Sequence, residues 1–477
     1  MTFADTSLAT AYVAIEWVIR LVMLALVPFR RTPESARAWL LLLLFLPIPG
    51  VLLYALIGRP SYPRRRRRRL AGAAALLETA TEEIAHSRHC RQPRLPGDFR
   101  QAATLIEKLG RFPALGNNGT ELIADYEGVI ARLVADIDAA QDHVHLLMYI
   151  FSDDRTGELV MDALVRAAAR GVTCRILIDA FGSRRWARRI VRRLSKAKIV
   201  VAQALPVHPW RRGSARADLR NHRKIAVIDG IIGYVGSQNI IDRETVKGIA
   251  NEEMVVRVDG PTVVEMQAVF AVDWYLETEE ILSGAGVFRH HDGPGSVTAQ
   301  LMPSGPDYGG TTMGQLTVAL IHAARERVVI TTPYFVPEEA MLLALRTAVL
   351  RGVAVHIILP LRSDHLLVRL AQQSYYSGLL DAGVQINLYR SGFLHAKHIS
   401  VDDEVVLVGS SNVDVRSFVL NAEVTLIIYD RQVTAQLRVL QERHMASSDL
   451  LTVADWERRP LIGKLSENIA RLVSPLL

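Results

Sequence analysis

The sequence predicts an α/β protein with two duplicated α/β sandwich domains that face each other, preceded by a transmembrane helical hairpin. Three observations favour this class: a polar motif that occurs twice, a strand–helix–strand pattern in each half, and two apolar runs near the amino terminus. The predicted units are a membrane hairpin at 1–60, a basic and helical connector at 61–115, and two similar domains at 116–297 and 298–477.

The predicted hairpin consists of two apolar runs. Residues 8–29 are apolar except for Glu16 and Arg20, and residues 38–58 form a second run that Pro47 should kink. Each run is about long enough to cross a bilayer core of about 30 Å. A charge at mid-bilayer costs about 2.5–3.5 kcal/mol, which leaves two alternatives for the first run. Its two charged residues pair at a spacing of four, or the helix lies partly in the membrane interface.

Most of the excess positive charge lies in the same region. Residues 1–70 contain eleven arginines and three acidic residues, whereas the whole chain has a net charge of +7. The remainder is close to neutral, which argues against a diffusely basic nucleic-acid-binding protein. The six arginines at 64–69 are typical of a segment that binds anionic lipid headgroups. They outnumber the arginines between the two runs, so the positive-inside rule places the chain after Gly58 in the cytoplasm.

The connector and the cysteines suggest no chemistry. Residues 70–113 read as polar helix with a proline-broken end. Cys90 and Cys174 lack the spacing of a zinc site or of a disulfide framework, and Cys174 lies in a buried strand pattern.

The two domains repeat one pattern of secondary structure. Each has a strand, a helix and a strand, with Gly171 or Gly352 as the helix stop. Strands that alternate with helices predict an α/β sandwich in each half, with the site at their interface. The predicted elements are 145–151, 157–170 and 172–178 in the first half, and 328–332, 338–350 and 353–359 in the second.

The duplicated motif reads His-x-Lys-x4-Asp-x6-Gly-Ser-x-Asn, and an Asn-x-Glu follows each copy. Two matches with a constant offset of 173 residues, from 222 to 395, are very improbable by chance. The first copy comprises His222, Lys224, Asp229, Gly236, Ser237 and Asn239, followed by Glu253; the second comprises His395, Lys397, Asp402, Gly409, Ser410 and Asn412, followed by Glu423.

Each copy predicts a β-hairpin that gathers these side chains. Residues two apart in a strand point to one face, so His222 and Lys224 emerge together. The return strand brings Ser237 and Asn239 beside them. The aspartates are either catalytic or set the geometry of the turn. The glutamates either orient the imidazoles through carboxylate–histidine hydrogen bonds or are charges at strand edges.

This set of side chains suits a phosphoryl group. Lysine, serine and asparagine can hold non-bridging oxygens, and histidine can attack phosphorus or protonate a leaving oxygen. Phosphodiester exchange needs a nucleophile and an acid on opposite sides of phosphorus, and two facing copies supply one histidine for each task. Two lysines already neutralise the phosphate, so we expect neither a metal ion nor another cofactor.

These residues resemble the signature of the phospholipase D superfamily. The run from Asn412 to Phe418 and the Asn421-Ala422-Glu423 that follows are similar to bacterial cardiolipin synthases. The resemblance implies a phosphohistidine intermediate, with His222 as nucleophile and His395 as acid and base. It also implies two phosphatidylglycerol substrates, release of glycerol, and a place in the bacterial inner membrane with the catalytic domains on the cytoplasmic side.

Alternative functions share this motif. A phospholipase D-type hydrolase would use water as acceptor, and another phosphatidyltransferase, such as a phosphatidylserine synthase, would use a different alcohol. A nuclease is disfavoured because basic charge is not spread around the site. A membrane scaffold without activity would tolerate loss of both histidines. The oligomeric state is not predicted.

Other segments suggest contact with lipid or with the pocket. The basic segment 184–198 with Trp186 is either a solvated face or a surface that docks on anionic lipid. Residues 210–212 could form a rim of the entrance, and the amphipathic residues 456–477 either lie on the bilayer or pack on the second domain. Tyr149 and Tyr334 end matching strands and either edge the pocket or pack in the core.

Overall fold

The computed structural model describes residues 3–31, 33–58, 66, 68–70, 72–73, 95, 97–207, 218–246, 248–282, 286–289, 291–308 and 311–473. Cys90, the predicted entrance rim at 210–212 and most of the helical connector lie outside the described residues, as do 474–477.

The helices are α1 Phe3–Leu26, α2 Pro33–Phe45, α3 Pro47–Ile57, α4 Arg100–Gly110, α5 Tyr126–Ala139, α6 Arg155–Ala169, α7 Ala187–Lys196, α8 Val263–Thr278, α9 Thr312–Ala323, α10 Glu339–Leu350, α11 Leu366–Gln373, α12 Tyr376–Asp381, α13 Arg431–Ala446, α14 Val453–Glu457 and α15 Leu461–Val473. Short 3₁₀ turns occupy Gly97–Phe99 and Pro306–Tyr308, and Arg416–Leu420 forms a π turn.

The strands are β1 Leu115–Ile123, β2 His143–Met148, β3 Thr173–Asp179, β4 Val200–Ala204, β5 Ile225–Ile228, β6 Ile232–Gly236, β7 Glu244–Val246, β8 Ile249–Glu252, β9 Val255–Asp259, β10 Val297–Ser304, β11 Arg327–Thr331, β12 Phe335–Val336, β13 Ala354–Pro360, β14 Gln385–Tyr389, β15 Phe393–Leu394, β16 His398–Val401, β17 Val405–Gly409, β18 Val413–Asp414, β19 Glu423–Tyr429 and β20 Ser448–Leu451.

One 15-stranded mixed sheet runs through both halves, in the order β20-β14-β13-β11-β16-β17-β19-β10-β1-β9-β6-β5-β2-β3-β4. The antiparallel pair β1–β10 joins the halves, with Leu115 opposite Ala299. From that pair outward, the order β9-β6-β5-β2-β3-β4 mirrors β19-β17-β16-β11-β13-β14, and β20 adds an edge strand. The predicted α/β class is therefore confirmed, and the predicted domain starts at 116 and 298 are each the second residue of a joining strand, β1 or β10.

Local patterning produces the repeated units as predicted. In each half two parallel strands are linked by a helix, through α6 between β2 and β3 and through α10 between β11 and β13. Gly171 and Gly352 follow these helices with φ of +94° and +89°, a conformation that costs glycine little. The strand–helix–strand predictions are confirmed within a few residues at their ends.

The buried side chains of the sheet form the cores. Every residue of β2, β5 and β19 is buried, and helix α8 lies against the first half with Phe270 and Trp274 inside. Burial of a side chain of this size contributes about 1.5–3 kcal/mol. Both motif hairpins are therefore built on strands that packing holds in place.

The amino-terminal region differs from the predicted two-helix hairpin. It folds into three helices, because the second apolar run ends one helix at Phe45 and begins another at Pro47. Trp39 and Tyr54 pack edge to face, with ring centroids 5.0 Å apart, and join α2 to α3. In the described residues, no helix combines the length and the apolar character that a membrane crossing requires. The predicted transmembrane hairpin is thus not confirmed.

Several charged side chains of this region bind the protein itself. Glu16 and Arg20 form the i, i+4 pair, at 3.2 Å, that was one predicted alternative for the first run. Arg66 is buried and pairs with Glu277, and Arg69 donates to the carbonyl of Leu276 at 2.6 Å. The prediction that this arginine run binds headgroups is therefore wrong for these two arginines.

The two segments for which the sequence suggests lipid contact, 184–198 and 456–477, differ from each other in how they pack. On α7, Arg189 and Arg193 pair with acidic residues at 2.5 Å, and the Trp186 side chain is half-buried against the first core. On α15, Ala470 packs against α11, whereas leucines and isoleucines on its other side are exposed. The tail thus packs on the second half with one face and leaves an apolar face to the surroundings.

Candidate active site

The two copies of the motif meet at one cavity of about 570 Å³ between the halves. His222 and His395 both line it, as do the asparagines that close each motif, Asn239 and Asn412. The cavity is therefore shared by the two halves, as the sequence predicts. Its other lining residues are Tyr149, Ile150, Phe181, Arg220, Tyr334, Val336, Asp364, His365, Val368, Asp414, Val415, Arg416, Ser417 and Asn421.

Backbone hydrogen bonds between the halves hold both histidines. The amide of His222 donates to the carbonyl of Ala422 at 2.9 Å, and the amide of His395 donates to the carbonyl of Glu252 at 2.8 Å. Each histidine thus lies beside the segment that follows the other copy of the motif. This reciprocal pairing brings together residues that are about 200 and 140 positions apart.

The two glutamates contact the imidazoles, and they do so crosswise. Glu423, in the second half, lies with Oε2 3.0 Å from Nδ1 of His222. Glu253, in the first half, lies with Oε1 2.6 Å from Nδ1 of His395. The proposed orienting role therefore fits the geometry, and the alternative of charges at strand edges does not, because both carboxylates are buried.

These contacts select the tautomer of each histidine. Burial alone would raise the pKa of Glu253. The charge of His395 and the hydrogen bond to it oppose burial, and the pKa of Glu253 is lowered to about 2. Burial also raises the pKa of Glu423, but the charge of His222 and the hydrogen bond to it lower that pKa below its usual value. Both carboxylates are thus ionised and can only accept, so Nδ1 carries the proton and Nε2 of each ring keeps its lone pair.

Burial favours the neutral form of both imidazoles. It lowers the pKa of His222 to about 4, against the opposing charge of Glu423, and it lowers the pKa of His395 against that of Glu253. A neutral imidazole with a free Nε2 is the nucleophilic form, and an anion bound between the rings would favour protonation.

The two lysines lie beneath the histidines and are almost fully buried. Nζ of Lys224 donates to the carbonyl of His222 at 2.7 Å, and Nζ of Lys397 donates to that of His395 at 2.6 Å. Burial lowers the pKa of Lys224 to about 7 and that of Lys397 to about 8, and the buried glutamates oppose both shifts. Each lysine also lowers the pKa of the histidine from the other half, so the four groups share one electrostatic site.

The serines of the motif do not line the cavity, which corrects their predicted role in holding phosphate. The hydroxyl of Ser410 donates to Glu423 Oε2 at 2.5 Å. That of Ser237 accepts from the amide of Met254 at 3.0 Å and helps to lower the pKa of Glu253. Both serines are fully buried and position the carboxylates that orient the histidines.

The aspartates of the motif lie at the far ends of the hairpins, which corrects their predicted catalytic role. Asp229 has a φ of +54° and accepts from the amides of residues 141–143 at 2.8–2.9 Å. Asp402 has a φ of +51° and accepts from the amides of residues 325–327 at 2.9–3.2 Å. They connect each hairpin turn to the start of the neighbouring strand in the sheet, β2 or β11, which is the alternative that turn chemistry offered.

Both asparagines of the motif line the cavity. The carbonyl oxygen of Asn239 accepts from the amide of Ile150 at 3.1 Å, which leaves the amide group directed elsewhere. Tyr149 and Tyr334 also line the cavity, so the predicted pocket edge is confirmed for both. The ring of Tyr149 packs edge to face on His222, with centroids 4.7 Å apart.

Sequence reasoning missed the arginines around the site. Arg220 lines the cavity and contacts Asp179 at 3.3 Å, and Arg416 of the second half also lines it and donates to the carbonyl of Asp218 at 3.4 Å. Arg223, a variable position of the motif, is buried and donates to the carbonyl of Glu423 at 3.0 Å and to Asp273 at 2.6 Å. These arginines lie within a few residues of a motif copy, which is the only feature of the sequence that points to them. A single sequence does not show which residues near a motif belong to the site.

In the parts of the chain that the structure describes, no group of three or more histidine, cysteine, aspartate or glutamate side chains is arranged to hold a metal ion. The arrangement that is present can hold an anion between two imidazoles, with ammonium and guanidinium groups around it.

Comparison with known proteins identifies the family. The sequence profile described as "Cardiolipin synthase, PLD-like domain" matches residues 133–274 and 317–445, and "Phospholipase_D-nuclease N-terminal" matches 12–59. The chain is 34% identical over 490 residues to cardiolipin synthase A of Yersinia pseudotuberculosis serotype O:1b (strain IP 31758), with 98% of this chain and all of the relative covered. The same protein of Yersinia pestis bv. Antiqua (strain Angola) gives the same values.

A solved structure supports the fold. The phosphatidylserine synthase of Haemophilus influenzae Rd KW20 aligns with 79% of this chain and with all of its own, with a TM-score of 0.61 at 15% identity. Together with the duplicated motif and the shared cavity, the full-length identity leads to one conclusion: the chain belongs to the cardiolipin synthase family with phospholipase D-like domains.

Proposed function

We propose that this protein is a phosphatidyltransferase that makes cardiolipin from two molecules of phosphatidylglycerol and releases glycerol. The observation that carries the proposal is the pair of histidines, one from each half, that line one cavity and contact carboxylates crosswise. The similarity to cardiolipin synthases supports phosphatidylglycerol as the substrate.

The first half-reaction forms a phosphatidyl-enzyme. The bound phosphodiester anion favours the protonated form of His395. Nε2 of neutral His222 attacks phosphorus, the bond from phosphorus to the glycerol oxygen breaks, and Nε2 of protonated His395 gives its proton to that oxygen. Asn239 and Asn412, which line the cavity, donate to the non-bridging oxygens, and the charges of Lys224 and Lys397 just behind its wall neutralise them. Glu423 stabilises the positive charge that develops on the His222 imidazole.

The second half-reaction transfers the phosphatidyl group. A hydroxyl of a second phosphatidylglycerol enters the place that glycerol left, and His395 takes its proton as the oxygen bonds to phosphorus. The phosphorus–nitrogen bond to His222 then breaks, and the enzyme returns to its starting form. Water in the same place would give phosphatidic acid, so the acceptor lipid must exclude it.

We propose that the amino-terminal helices insert in the bacterial inner membrane and hold the catalytic halves on its cytoplasmic side. Their apolar side chains are unusually exposed: Phe29 at 90%, Phe45 at 73% and Leu56 at 69%. Exposed apolar surface of this extent is unfavourable in water and marks a membrane or protein contact. The excess arginines after Gly58 support the cytoplasmic side.

Product analysis tests this function. Purified protein with phosphorus-labelled phosphatidylglycerol in vesicles is expected to yield cardiolipin and free glycerol in equal amounts. An acid quench and a base quench should locate an acid-labile, base-stable adduct on the peptide that contains His222. His222→Ala and His395→Ala should both abolish transfer. Phosphatidic acid as the main product would instead support the hydrolase.

A further inference from the structure

A second cavity of about 610 Å³ lies beside the catalytic cavity, where the amino-terminal helices meet the second half. Its walls come from α2, from the start of α10 and from α15 near the end of the chain. Val415 lines both cavities, and Val336 of the first is followed directly by Pro337 of the second. The lining residues are Arg37, Ala38, Leu41, Pro337, Glu338, Glu339, Leu342, Tyr375, Val415, Asn468, Arg471 and Leu472.

The lining combines an apolar interior with charged groups around it. Ala38 and Leu342 are buried, and Leu41 and Leu472 add apolar surface on the helices that frame the cavity. The guanidinium of Arg471 lies 4.9 Å from the ring centroid of Tyr375. The charged lining comprises Arg37 and Arg471 and also Glu338 and Glu339. Such a cavity suits an amphiphile whose apolar part fills the interior, whose phosphate meets a guanidinium group and whose headgroup hydroxyls donate to a carboxylate.

The reaction requires a place for such a molecule. The catalytic cavity, at about 570 Å³, has the size of a site for one ligand, whereas transfer involves two lipids. In-line exchange brings the acceptor hydroxyl to the face of phosphorus opposite His222, which is the face that His395 serves. The second cavity is built largely on the half that carries His395, through Pro337, Leu342 and Val415.

We propose that this second cavity binds the acceptor lipid, an anionic glycerophospholipid, with its acyl chains between α2 and α15 and its headgroup passing Val415 toward His395. This assignment rests on the proposed transfer reaction and adds where the second substrate lies. It also gives the amino-terminal helices a role in binding substrate, because α2 forms one wall.

Filling the cavity tests the assignment. Leu472→Trp and Leu41→Trp place a large ring in it from two different helices, at positions that are 57% and 41% exposed and therefore tolerant. The matched controls are Leu465→Trp, two turns earlier on α15, and Leu44→Trp, one turn later on α2, at positions that are 60% and 54% exposed and outside the cavity. Each protein is assayed in phosphatidylglycerol vesicles for the glycerol burst per enzyme and for the rate of cardiolipin formation.

The expected result is a glycerol burst within twofold of wild type in all four variants. Cardiolipin formation should fall at least tenfold in Leu472→Trp and Leu41→Trp alone, with a larger fraction of phosphatidic acid. Equal rates in the cavity variants and their controls would overturn the assignment. A burst that falls as far as product formation would also overturn it, because the cavity would then serve the donor.

The same assay separates this inference from the proposed function. A wild-type protein that releases glycerol and makes cardiolipin, but whose cavity variants match the controls, refutes only the acceptor site. A wild-type protein that makes no cardiolipin refutes the transfer reaction itself. Equal losses in Leu472→Trp and Leu465→Trp would indicate membrane docking by α15 and would overturn the acceptor site.

Discussion

Each glutamate contacts the histidine of the other motif copy, so the structure predicts that it acts on that histidine. The order of the motifs in the chain would suggest the opposite assignment. Glu253 follows the motif of His222 in the chain, yet it contacts His395. Glu423 follows the motif of His395, yet it contacts His222. Replacement of either glutamate by glutamine removes the charge at nearly constant volume and should disable the histidine of the opposite half.

The magnitude follows from the contact that is lost. A hydrogen bond to a charged, buried partner contributes about 1.5–3 kcal/mol, which corresponds to about 10- to 150-fold in rate. The glutamine amide can also donate to Nδ1, which would move the imidazole proton to Nε2 and remove the nucleophilic lone pair. We therefore expect Glu423→Gln to slow formation of the His222 adduct by at least tenfold.

A double-mutant cycle measures which pairs are coupled. His395→Ala keeps the nucleophile and should slow adduct formation by about 10²–10⁴-fold, the contribution of a general acid, which transient kinetics can still follow. Adduct formation would be recorded for Glu253→Gln and Glu423→Gln, alone and with His395→Ala. Glu253→Gln should add little once His395 is absent, because they act as one unit, whereas Glu423→Gln should still cost its full factor. Glu252→Gln is the matched control, since that carboxylate pairs with Arg243 at 2.7 Å outside the site. Coupling of Glu423, rather than Glu253, to His395 would refute the crossed arrangement.

Three further predictions follow from the lysines, the turn aspartates and the amino-terminal helices. Burial lowers the pKa of Lys224 to about 7 and that of Lys397 to about 8, so both are charged below pH 7 and lose charge as pH rises through 7–8. We therefore expect kcat/KM to fall over this window. A value of kcat/KM that stays constant to pH 9 would contradict the phosphate-binding role. Asp229→Ala removes three hydrogen bonds from backbone amides and puts alanine at positive φ. The free energy of unfolding should therefore fall by about 2–4 kcal/mol, while kcat is retained. Loss of kcat in a protein of unchanged Tm would instead indicate a catalytic role. Phe45→Glu should weaken co-sedimentation with phosphatidylglycerol vesicles at least tenfold, since full burial of phenylalanine contributes about 1.5–3 kcal/mol; unchanged binding would argue against insertion of this surface.

The sequence by itself determined the local structure and the inventory of the site. The period-2 pattern and the turn residues define both hairpins, and β5–β6 and β16–β17 appear where they were predicted. The duplication identified His222, His395 and the two lysines, because two copies at one offset restrict the choice strongly. These features depend on residues close together in the chain, so local conformational preferences and the repeat are sufficient to predict them.

Only the tertiary structure decided which residue acts on which. The crossed pairs Glu423–His222 and Glu253–His395 form across the halves, and no spacing within one copy specifies them. A serine hydroxyl can donate to phosphate and an aspartate can act in catalysis, but packing directs Ser410 to a carboxylate and Asp229 to backbone amides. The physical reason is that a side chain's partner depends on three-dimensional contacts between distant segments, which one sequence does not record.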